Sequence, residues 1–316
     1  MRMLSVSLLL TAGCSSLSVE HVSTLTHATK GVLLHADGQA TTGIGGMVCT
    51  VQATGSVDEI GVMEDIDFTD AAEHVQDLHG DRVVASSEEG LHFIEAGVAG
   101  ESIDLSGVLQ ARLLDDGVAA LRSVDGGCQL EWLGEGASAT PVRDGFCAEG
   151  AQMTVDPTSK VVYIADGELY RVTPDAEEAL GIEARFVDFD ASSGVLFAGS
   201  GEVVSALVGD TLAWQRTVDG TVTSVAAYSG SGAALVGVLQ SNGRGAIRIF
   251  GAEGEDSMPN LDEVIPESGG VTASDDGTLI AVILDKETHF FEVCTDDCGP
   301  RVTFSPRGDD PVRFLD

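Results

Sequence analysis

One short pattern recurs along the chain: a polar turn followed by a run of apolar and β-branched residues. At residues 274–282 it reads Ser-Asp-Asp-Gly and then Thr-Leu-Ile-Ala-Val. Similar units lie at residues 30–34, 80–85, 115–121, 156–164, 190–198 and 230–236. Short β-branched runs bounded by turn residues are typical of strands. The pattern therefore predicts a chain built almost wholly from β-strands.

A second turn and a second strand follow several of these units. Glu89-Gly90 precedes Leu-His-Phe-Ile, Gly167-Glu168 precedes Leu-Tyr-Arg-Val, and Lys286-Glu287 precedes Thr-His-Phe-Phe. These pairs predict hairpins. Helical periodicity is nearly absent, and residues 176–184 form the only stretch whose pattern allows one or two helical turns. With 39 glycines in the chain, we expect an all-β fold.

The hairpins group into units of similar length. The units begin near residues 28, 71, 108, 151, 185, 222 and 268. Their spacing of about 40 residues is the length of one four-stranded antiparallel blade. This periodicity predicts a seven-bladed β-propeller, with six blades, eight blades or two packed β-sandwiches as alternatives.

The turns resemble those of WD40-like and YVTN-type β-propellers, in which Ser-Pro-Asp-Gly introduces the second strand of a blade. Ser274-Asp275-Asp276-Gly277 is the nearest copy, and no Trp-Asp dipeptide occurs. Residues 209–214, Gly-Asp-Thr-Leu-Ala-Trp, also resemble the repeat of quinoprotein-type propellers found in outer-membrane assembly lipoproteins. The resemblance implies a propeller over nearly the whole chain.

A propeller closes its ring by pairing the two ends of the chain, which removes exposed sheet edges. Residues 311–316, Pro-Val-Arg-Phe-Leu-Asp, are similar to residues 185–190, which open a later unit. We therefore expect the last residues to pair near the first blade. Residues 21–25 compete for the same position.

The amino-terminal segment has the features of a signal peptide. Arg2 precedes a short apolar run that ends at Ala12-Gly13, and this run is about half the length of a helix that spans a bilayer. Cys14 follows Thr11-Ala12-Gly13, which resembles the lipobox of bacterial lipoproteins, although Thr11 stands where that family usually has leucine. The alternative is a plain secretory signal with an incidental cysteine.

The lipobox resemblance implies lipidation at Cys14 and a place in the bacterial cell envelope. Ser15 follows Cys14, and the family's retention signal for the inner membrane is an aspartate at that position. We expect the outer membrane, on its periplasmic or surface face. The expected organisation is a signal peptide at residues 1–13, the lipidated cysteine with a short tether at residues 14–20, and a propeller domain at residues 21–316.

The charge of the chain restricts its partners. There are 51 acidic and 16 basic residues, which gives a formal net charge of -35. Nucleic-acid binding is excluded because phosphate backbones require basic patches. A lysine-poor acidic surface suits high ionic strength, where salt screens self-repulsion. A saline habitat and an ordinary acidic proteome both explain the surface.

The remaining cysteines are disulfide candidates, because exported proteins fold under oxidising conditions. Cys128 and Cys147 lie within one predicted blade, and Cys294 and Cys298 flank a turn-like tetrad. Cys49 remains as a predicted buried thiol. A zinc site is not expected, because no histidine lies close in sequence to either pair.

Catalytic and metal-binding motifs are absent from the sequence. No nucleophile elbow, His-Glu-x-x-His pair, phosphate loop or dinucleotide fingerprint occurs. His74, His79 and Asp81 form the densest group of potential ligands, but their spacing in a strand favours a structural role. Residues 188–194 place oxygen side chains at alternate positions as calcium loops do, yet position 199 is Gly where such a loop needs glutamate. Asp188 also alternates with Val187 and Phe189, which favours a strand. We expect no cofactor, with calcium as the alternative.

Other side chains are expected to serve the fold. His35, His92 and His289 fall at strand or turn positions. The tryptophans and tyrosines could line a binding face, but in propeller strands we expect them to pack between blades. These residues are Trp132, Trp214, Tyr163, Tyr170 and Tyr228.

Three functions are consistent with these features. The first is a monomeric, non-enzymatic, lipid-anchored propeller that binds a protein or peptide through loops at one end of the ring. The alternative is a periplasmic, lactonase-like hydrolase with a metal in its central channel. The third is a scaffold for outer-membrane assembly. A channel site would require three or four carboxylates or histidines from different blades to converge on the axis.

Overall fold

The computed structural model describes most of the chain between residues 18 and 314. The described ranges are 18–26, 32–34, 39–44, 47–52, 62–66, 74–79, 82–86, 90–95, 98–125, 127–134, 140–145, 150–228, 232–257, 270–274, 279–283, 287–294 and 313–314. Within these ranges every regular element is a strand. The strands form seven antiparallel sheets, which we number as blades 1 to 7.

The strands of each blade are consecutive along the chain. The first strand is β1 (Ser18–Thr26). Blade 1 holds β2 (Val32–Leu34), β3 (Gln39–Ile44), β4 (Met47–Gln52) and β5 (Val62–Ile66). Blade 2 holds β6 (His74–His79), β7 (Arg82–Ser86), β8 (Gly90–Glu95) and β9 (Val98–Asp104). Blade 3 holds β10 (Val108–Leu114), β11 (Gly117–Val124), β12 (Gly127–Gly134) and β13 (Thr140–Asp144).

The later blades follow the same order. Blade 4 holds β14 (Gln152–Asp156), β15 (Val161–Ala165), β16 (Gly167–Val172) and β17 (Glu177–Ala184). Blade 5 holds β18 (Phe186–Asp190), β19 (Val195–Ser200), β20 (Val203–Val208) and β21 (Thr211–Thr217). Blade 6 holds β22 (Thr221–Tyr228), β23 (Ala233–Leu239), β24 (Gly245–Phe250) and β25 (Asp256–Ser257). Blade 7 holds β26 (Gly270–Ala273), β27 (Leu279–Ile283) and β28 (Glu287–Cys294), and the last strand is β29 (Arg313–Phe314).

The blades are arranged in a closed ring. The first strands of consecutive blades are neighbours, and β26 of blade 7 is also a neighbour of β2 of blade 1. The first strands begin at residues 32, 74, 108, 152, 186, 221 and 270, close to the predicted starts of the seven units. The predicted all-β propeller of antiparallel blades is confirmed.

Ring closure uses the amino-terminal strand. β1 pairs with β28 along its whole length and becomes the fourth strand of blade 7. The competing segment at residues 21–25 therefore takes the closing position. The carboxy-terminal strand β29 pairs outside it, with Phe314 opposite Leu25. Because β1 begins at Ser18, part of the predicted tether belongs to the sheet.

One sequence expectation about an individual element is wrong. The stretch that allowed helical turns forms strand β17. This strand pairs with β16 of the same hairpin, from Gly167 opposite Ala184 to Val172 opposite Glu177. Cross-strand pairing with a completed sheet outweighs the weak helical preference of this segment. Val32–Leu34 is the first strand of blade 1, and Gln39–Ile44 is the second.

The hydrophobic core lies between adjacent blades. One buried cluster joins blades 3 and 4 through Leu121, Leu130 and Met153, and another joins blades 5 and 6 through Phe197, Trp214 and Phe250. Further clusters of this kind join blades 2 and 3, 4 and 5, and 6 and 7. Because blades cover both sides of a sheet, second strands such as Val161–Ala165 and Ala233–Leu239 are continuous apolar runs rather than alternating ones.

Candidate interaction surface

Antiparallel strands give the ring two different ends. We call one end the lower face; it holds the connections between the first and second strands and between the third and fourth strands. These connections include residues 115–116, 157–160, 173–176, 191–194, 209–210 and 251–255. We call the other end the upper face; its turns include residues 105–107, 166, 185, 201–202, 218–220 and 240–244. Each face collects loops from several blades.

The first strands carry polar side chains that bind the next blade. Asp77 Oδ2 accepts from the backbone N–H of Leu113 at 2.7 Å. Gln110 Oε1 accepts from the N–H of Met153 at 2.8 Å, and its Nε2 donates to the carbonyl of Ala151 at 2.6 Å. A first strand is a sheet edge with free backbone groups. These side chains satisfy that edge and fix each blade to its neighbour.

Asp188, in the first strand of blade 5, makes the same kind of contact with its neighbouring blades. Its Oδ2 accepts from the N–H of Ala227 at 2.7 Å, and its Oδ1 accepts from the hydroxyl of Thr154 at 3.1 Å. Burial raises the pKa of Asp188 above the ordinary value, although these hydrogen bonds and the charge of Arg112 oppose the shift. Burial therefore favours protonation of this carboxyl in the folded ring.

Arg112 places a cation on the same inner strands. Its Nη1 donates to the carbonyl of Gln76 at 2.7 Å and to the carbonyl of Ala111 at 3.0 Å. The inner strands thus bring Asp77, Arg112 and Asp188 toward the axis, each bonded to backbone of its own or a neighbouring strand. Over the described residues, no three histidine, cysteine or acidic side chains are grouped so that they could hold a metal ion.

The lower face is braced by contacts between neighbouring blades. Arg82 Nη1 donates to the carbonyl of Leu114 at 3.0 Å. Lys160 pairs with Asp116 and lies 5.9 Å from the ring centre of Trp132. These contacts join blades 2 and 3 and blades 3 and 4. The lower-face cations are therefore used in holding the ring together.

Blades 5 and 6 share the most extensive of these contacts. Trp214 Nε1 donates to the carbonyl of Ala252 at 3.0 Å, and Arg216 Nε donates to the carbonyl of Gly254 at 2.8 Å. The indole also lies 5.9 Å from the ring of Phe250. The hairpin turn of blade 6 is thus folded against the outer strand of blade 5. The tryptophan of the quinoprotein-like repeat serves this contact.

Asp190 closes the turn after β18 and reaches the next blade. Its carboxylate accepts from the hydroxyls of Ser192 at 2.7 Å and Ser193 at 2.6 Å, and from the N–H of Gly232 at 3.0 Å. Burial acts to raise the pKa of Asp190, but these hydrogen bonds outweigh it and leave the pKa below its ordinary value. Asp188 and Asp190 of this oxygen-rich segment lie in strand β18, as the sequence predicts for Asp188, and the serines lie in the turn that follows.

Both faces carry exposed acidic side chains, and those of the upper face come from several blades. Asp104, Asp125, Glu183, Glu202 and Asp219 are exposed there. Glu183 accepts from the hydroxyl of Ser200 at 2.9 Å. The upper face therefore presents loops and negative charge from blades 2 to 5.

The predicted aromatic and cysteine residues take several positions. Tyr163, Trp214 and Tyr228 are buried, and Trp132 and Tyr170 pack against the core between blades 3 and 4, so these aromatics pack between blades as expected. Cys128 is buried and disulfide-bonded. Its predicted partner Cys147 lies outside the described residues, as do Cys14 and Cys298, and these predictions stay open.

For the other residues singled out in the sequence, we give only their positions in the strands. His74 and His79 stand at the two ends of β6, and Asp81 and His35 lie outside the described residues. Cys49 is in β4, and Cys294 ends β28. No helix within the described ranges has the length and hydropathy needed to cross a membrane.

Sequence reasoning missed the polar side chains of the first strands. The signal is a polar residue inside an otherwise apolar strand, as in Val-Leu-Gln-Ala-Arg-Leu-Leu of β10 and Phe-Val-Asp-Phe-Asp of β18. Gln76 bonds to the backbone of Ala111 and Gln110 to that of Met153, 35 and 43 residues later, and Arg112 bonds to the carbonyl of Gln76, 36 residues earlier. The partner is therefore invisible in any local window.

Comparison with known proteins finds likeness in structure and not in sequence. No protein-family model and no curated protein matches the chain. A chain of a mitotic checkpoint complex is similar with a TM-score of 0.61 and 10% identity, covering 92% of this chain and 100% of that one. The WD40 repeats of RRP9 give 0.61 and 11%, covering 89% and 98%.

A third similar structure is a β-propeller domain from Myceliophteria thermophila, Cps50 (Swd1). Its TM-score is 0.64 at 12% identity, covering 88% of this chain and 98% of that one. Identities this low establish the fold alone. The chain therefore has a β-propeller fold similar to that of WD40 repeat domains.

Proposed function

We propose that this propeller is a non-enzymatic binding module of the bacterial cell envelope, anchored through a lipid on Cys14 and engaging a protein or peptide partner. The observation that carries the binding role is the difference between the two faces. Ion pairs and hydrogen bonds between blades brace the lower face, as with Lys160 and Asp116. The upper face presents exposed loops on that rigid ring.

The charge of the upper face selects the kind of partner. Glu202 and Asp219 are exposed in neighbouring connections, and the whole chain carries a net charge of -35. Complementary charge accelerates encounter and disfavours wrong partners. A partner with basic segments fits this face. The likeness to a chain of a mitotic checkpoint complex supports a role within an assembly, by analogy of fold only.

Charge reversal on the two faces tests the binding role. Native membranes from cells that express the full chain are crosslinked, and partners that co-purify with the wild type are identified by mass spectrometry. We expect Glu202→Lys/Asp219→Lys to abolish capture of a specific partner, while the lower-face variant Asp175→Lys keeps it. Capture that is lost equally in both variants, or no specific partner with the wild type, contradicts the proposal.

The anchor is tested separately by intact mass spectrometry of protein extracted from membranes of a bacterial host. We expect a species that begins at Cys14 and carries acyl mass, and a Cys14→Ser variant without it. An unlipidated wild-type protein would remove the anchor and favour the secreted hydrolase. Substrate screening would then be the next experiment.

A further inference from the structure

The closing strand of the ring determines where an anchor at Cys14 would attach. Ser18, the first residue of β1, lies opposite Cys294, the last residue of β28. β28 is the third strand of blade 7 and runs from the upper face to the lower face, as all third strands do. β1 is antiparallel to it, so the chain enters β1 at the lower face.

Few residues separate this entry point from the proposed lipid. Cys14 precedes Ser18 by four positions in the sequence, and an extended chain spans at most about 3.6 Å per residue, or roughly 14 Å. A strand of seven residues is about 24 Å long. A tether of this length is too short to bring the upper face to the bilayer past the depth of the ring.

We propose that the lower face of the propeller lies against the membrane and that the upper face points away from it, toward the partner. This orientation rests on the proposed lipid anchor. The backbone direction of β1 supports it, because the chain toward Cys14 leaves the sheet through its lower end. A tether that left from the middle of the strand would instead favour a ring standing on edge.

The test measures energy transfer from each face to the bilayer. The lipidated full chain is reconstituted into phosphatidylcholine vesicles that carry an acceptor dye on the headgroups. A donor dye is attached through a noncanonical amino acid at position 175 on the lower face or 219 on the upper face. Asp175 and Asp219 are both exposed aspartates in turns, so the two labels are matched.

We expect at least twofold higher transfer efficiency from position 175 than from position 219. Equal or reversed efficiencies in protein that floats with the vesicles would overturn the orientation and leave the anchor intact. Failure of the wild type to float, as expected for Cys14→Ser, would overturn the anchor and the orientation together.

A longer tether tests whether the short chain before β1 causes the difference in energy transfer. Insertion of a flexible twenty-residue Gly-Ser linker after Ser16 should reduce the difference between the two labels to within error. A difference that persists with the linker would contradict the tether as its origin.

Discussion

Asp190 and Asp156 hold the same kind of turn, but only Asp190 also bonds to the next blade. Asp156 accepts from Thr158 and Ser159, at 2.8 Å to the Thr158 hydroxyl, and Asp190 accepts in the same way from Ser192 and Ser193. The N–H of Gly232 adds one bond to Asp190. Comparing variants of Asp190 and Asp156 therefore separates the stability due to the local turn from the stability due to the contact between blades.

We expect Asp190→Ala to cost about 1 to 2 kcal/mol more unfolding free energy than Asp156→Ala, because it also leaves a buried N–H without its partner. The folded pKa of Asp190 is lowered, so its contribution is present above the unfolded pKa near 4 and is lost as pH falls through the folded value. Urea unfolding at pH 7 and pH 3.5 measures both effects. Equal losses in the two variants would contradict the role of the Gly232 bond.

A buried ion pair lies within blade 3. Arg122 Nε bonds to Oε1 of Glu131, a side chain that is 1% exposed. Arg122→Met would leave this carboxylate buried without its cation, and we expect a loss of about 3 kcal/mol. The double variant Arg122→Met/Glu131→Leu should recover most of it in urea unfolding. A double variant no more stable than the single one would show that packing, and not charge, dominates here.

Strand edges at the centre of the ring depend on side chains from the preceding blade. Gln110 bonds to two backbone groups of blade 4, whereas Gln215 bonds within blade 5 to the Ser205 hydroxyl at 3.0 Å and is exposed. We expect Gln110→Ala to cost about 2 kcal/mol and Gln215→Ala less than about 0.5 kcal/mol. Chemical unfolding measures both. Similar losses would mean that the inner edges are satisfied in another way.

The turn of blade 6 approaches Trp214 so closely that only glycine fits. Gly254 has φ +77°, and a Cβ there would lie 2.9 Å from Trp214 Cδ2. Gly243 has φ +78° with open space around it. Both alanine variants bear the same backbone strain, so we expect Gly254→Ala to lose a further 1 to 3 kcal/mol or so through the steric clash. Thermal unfolding compares them, and equal melting temperatures would exclude the clash.

The net charge of -35 acts on the whole molecule. Salt shortens the Debye length from about 30 Å at 0.01 M to about 3 Å at 1 M and so screens the repulsion between carboxylates. We expect the Tm in 1 M NaCl to exceed that in 0.01 M NaCl by about 5 °C or more. Calorimetry measures it.

A charge-reduced variant is the control for this salt effect. It neutralises exposed carboxylates of the upper face through the substitutions Asp104→Asn, Asp125→Asn, Glu183→Gln, Glu202→Gln and Asp219→Asn. The salt-dependent rise in Tm should be smaller in this variant. A wild-type Tm that is unchanged or lower in 1 M NaCl would contradict an electrostatic origin.

The sequence by itself determined the blades. A turn is encoded by adjacent residues, so Asp115-Asp116-Gly117 and Asp190 to Gly194 marked where second strands begin, and the spacing of such turns indicated the seven units. The segment at residues 176–184 was interpreted incorrectly, because a single strand pairs with a neighbour that a local pattern does not contain.

The tertiary structure alone decided how the blades are joined and which end closes the ring. Asp77 with Leu113, and Trp214 with Ala252, are 36 and 38 residues apart and meet only where two neighbouring blades pack together. The choice between the two chain ends likewise depended on their competition for one edge of β28. The candidate surface follows from these contacts, because they separate a braced lower face from an upper face of exposed loops.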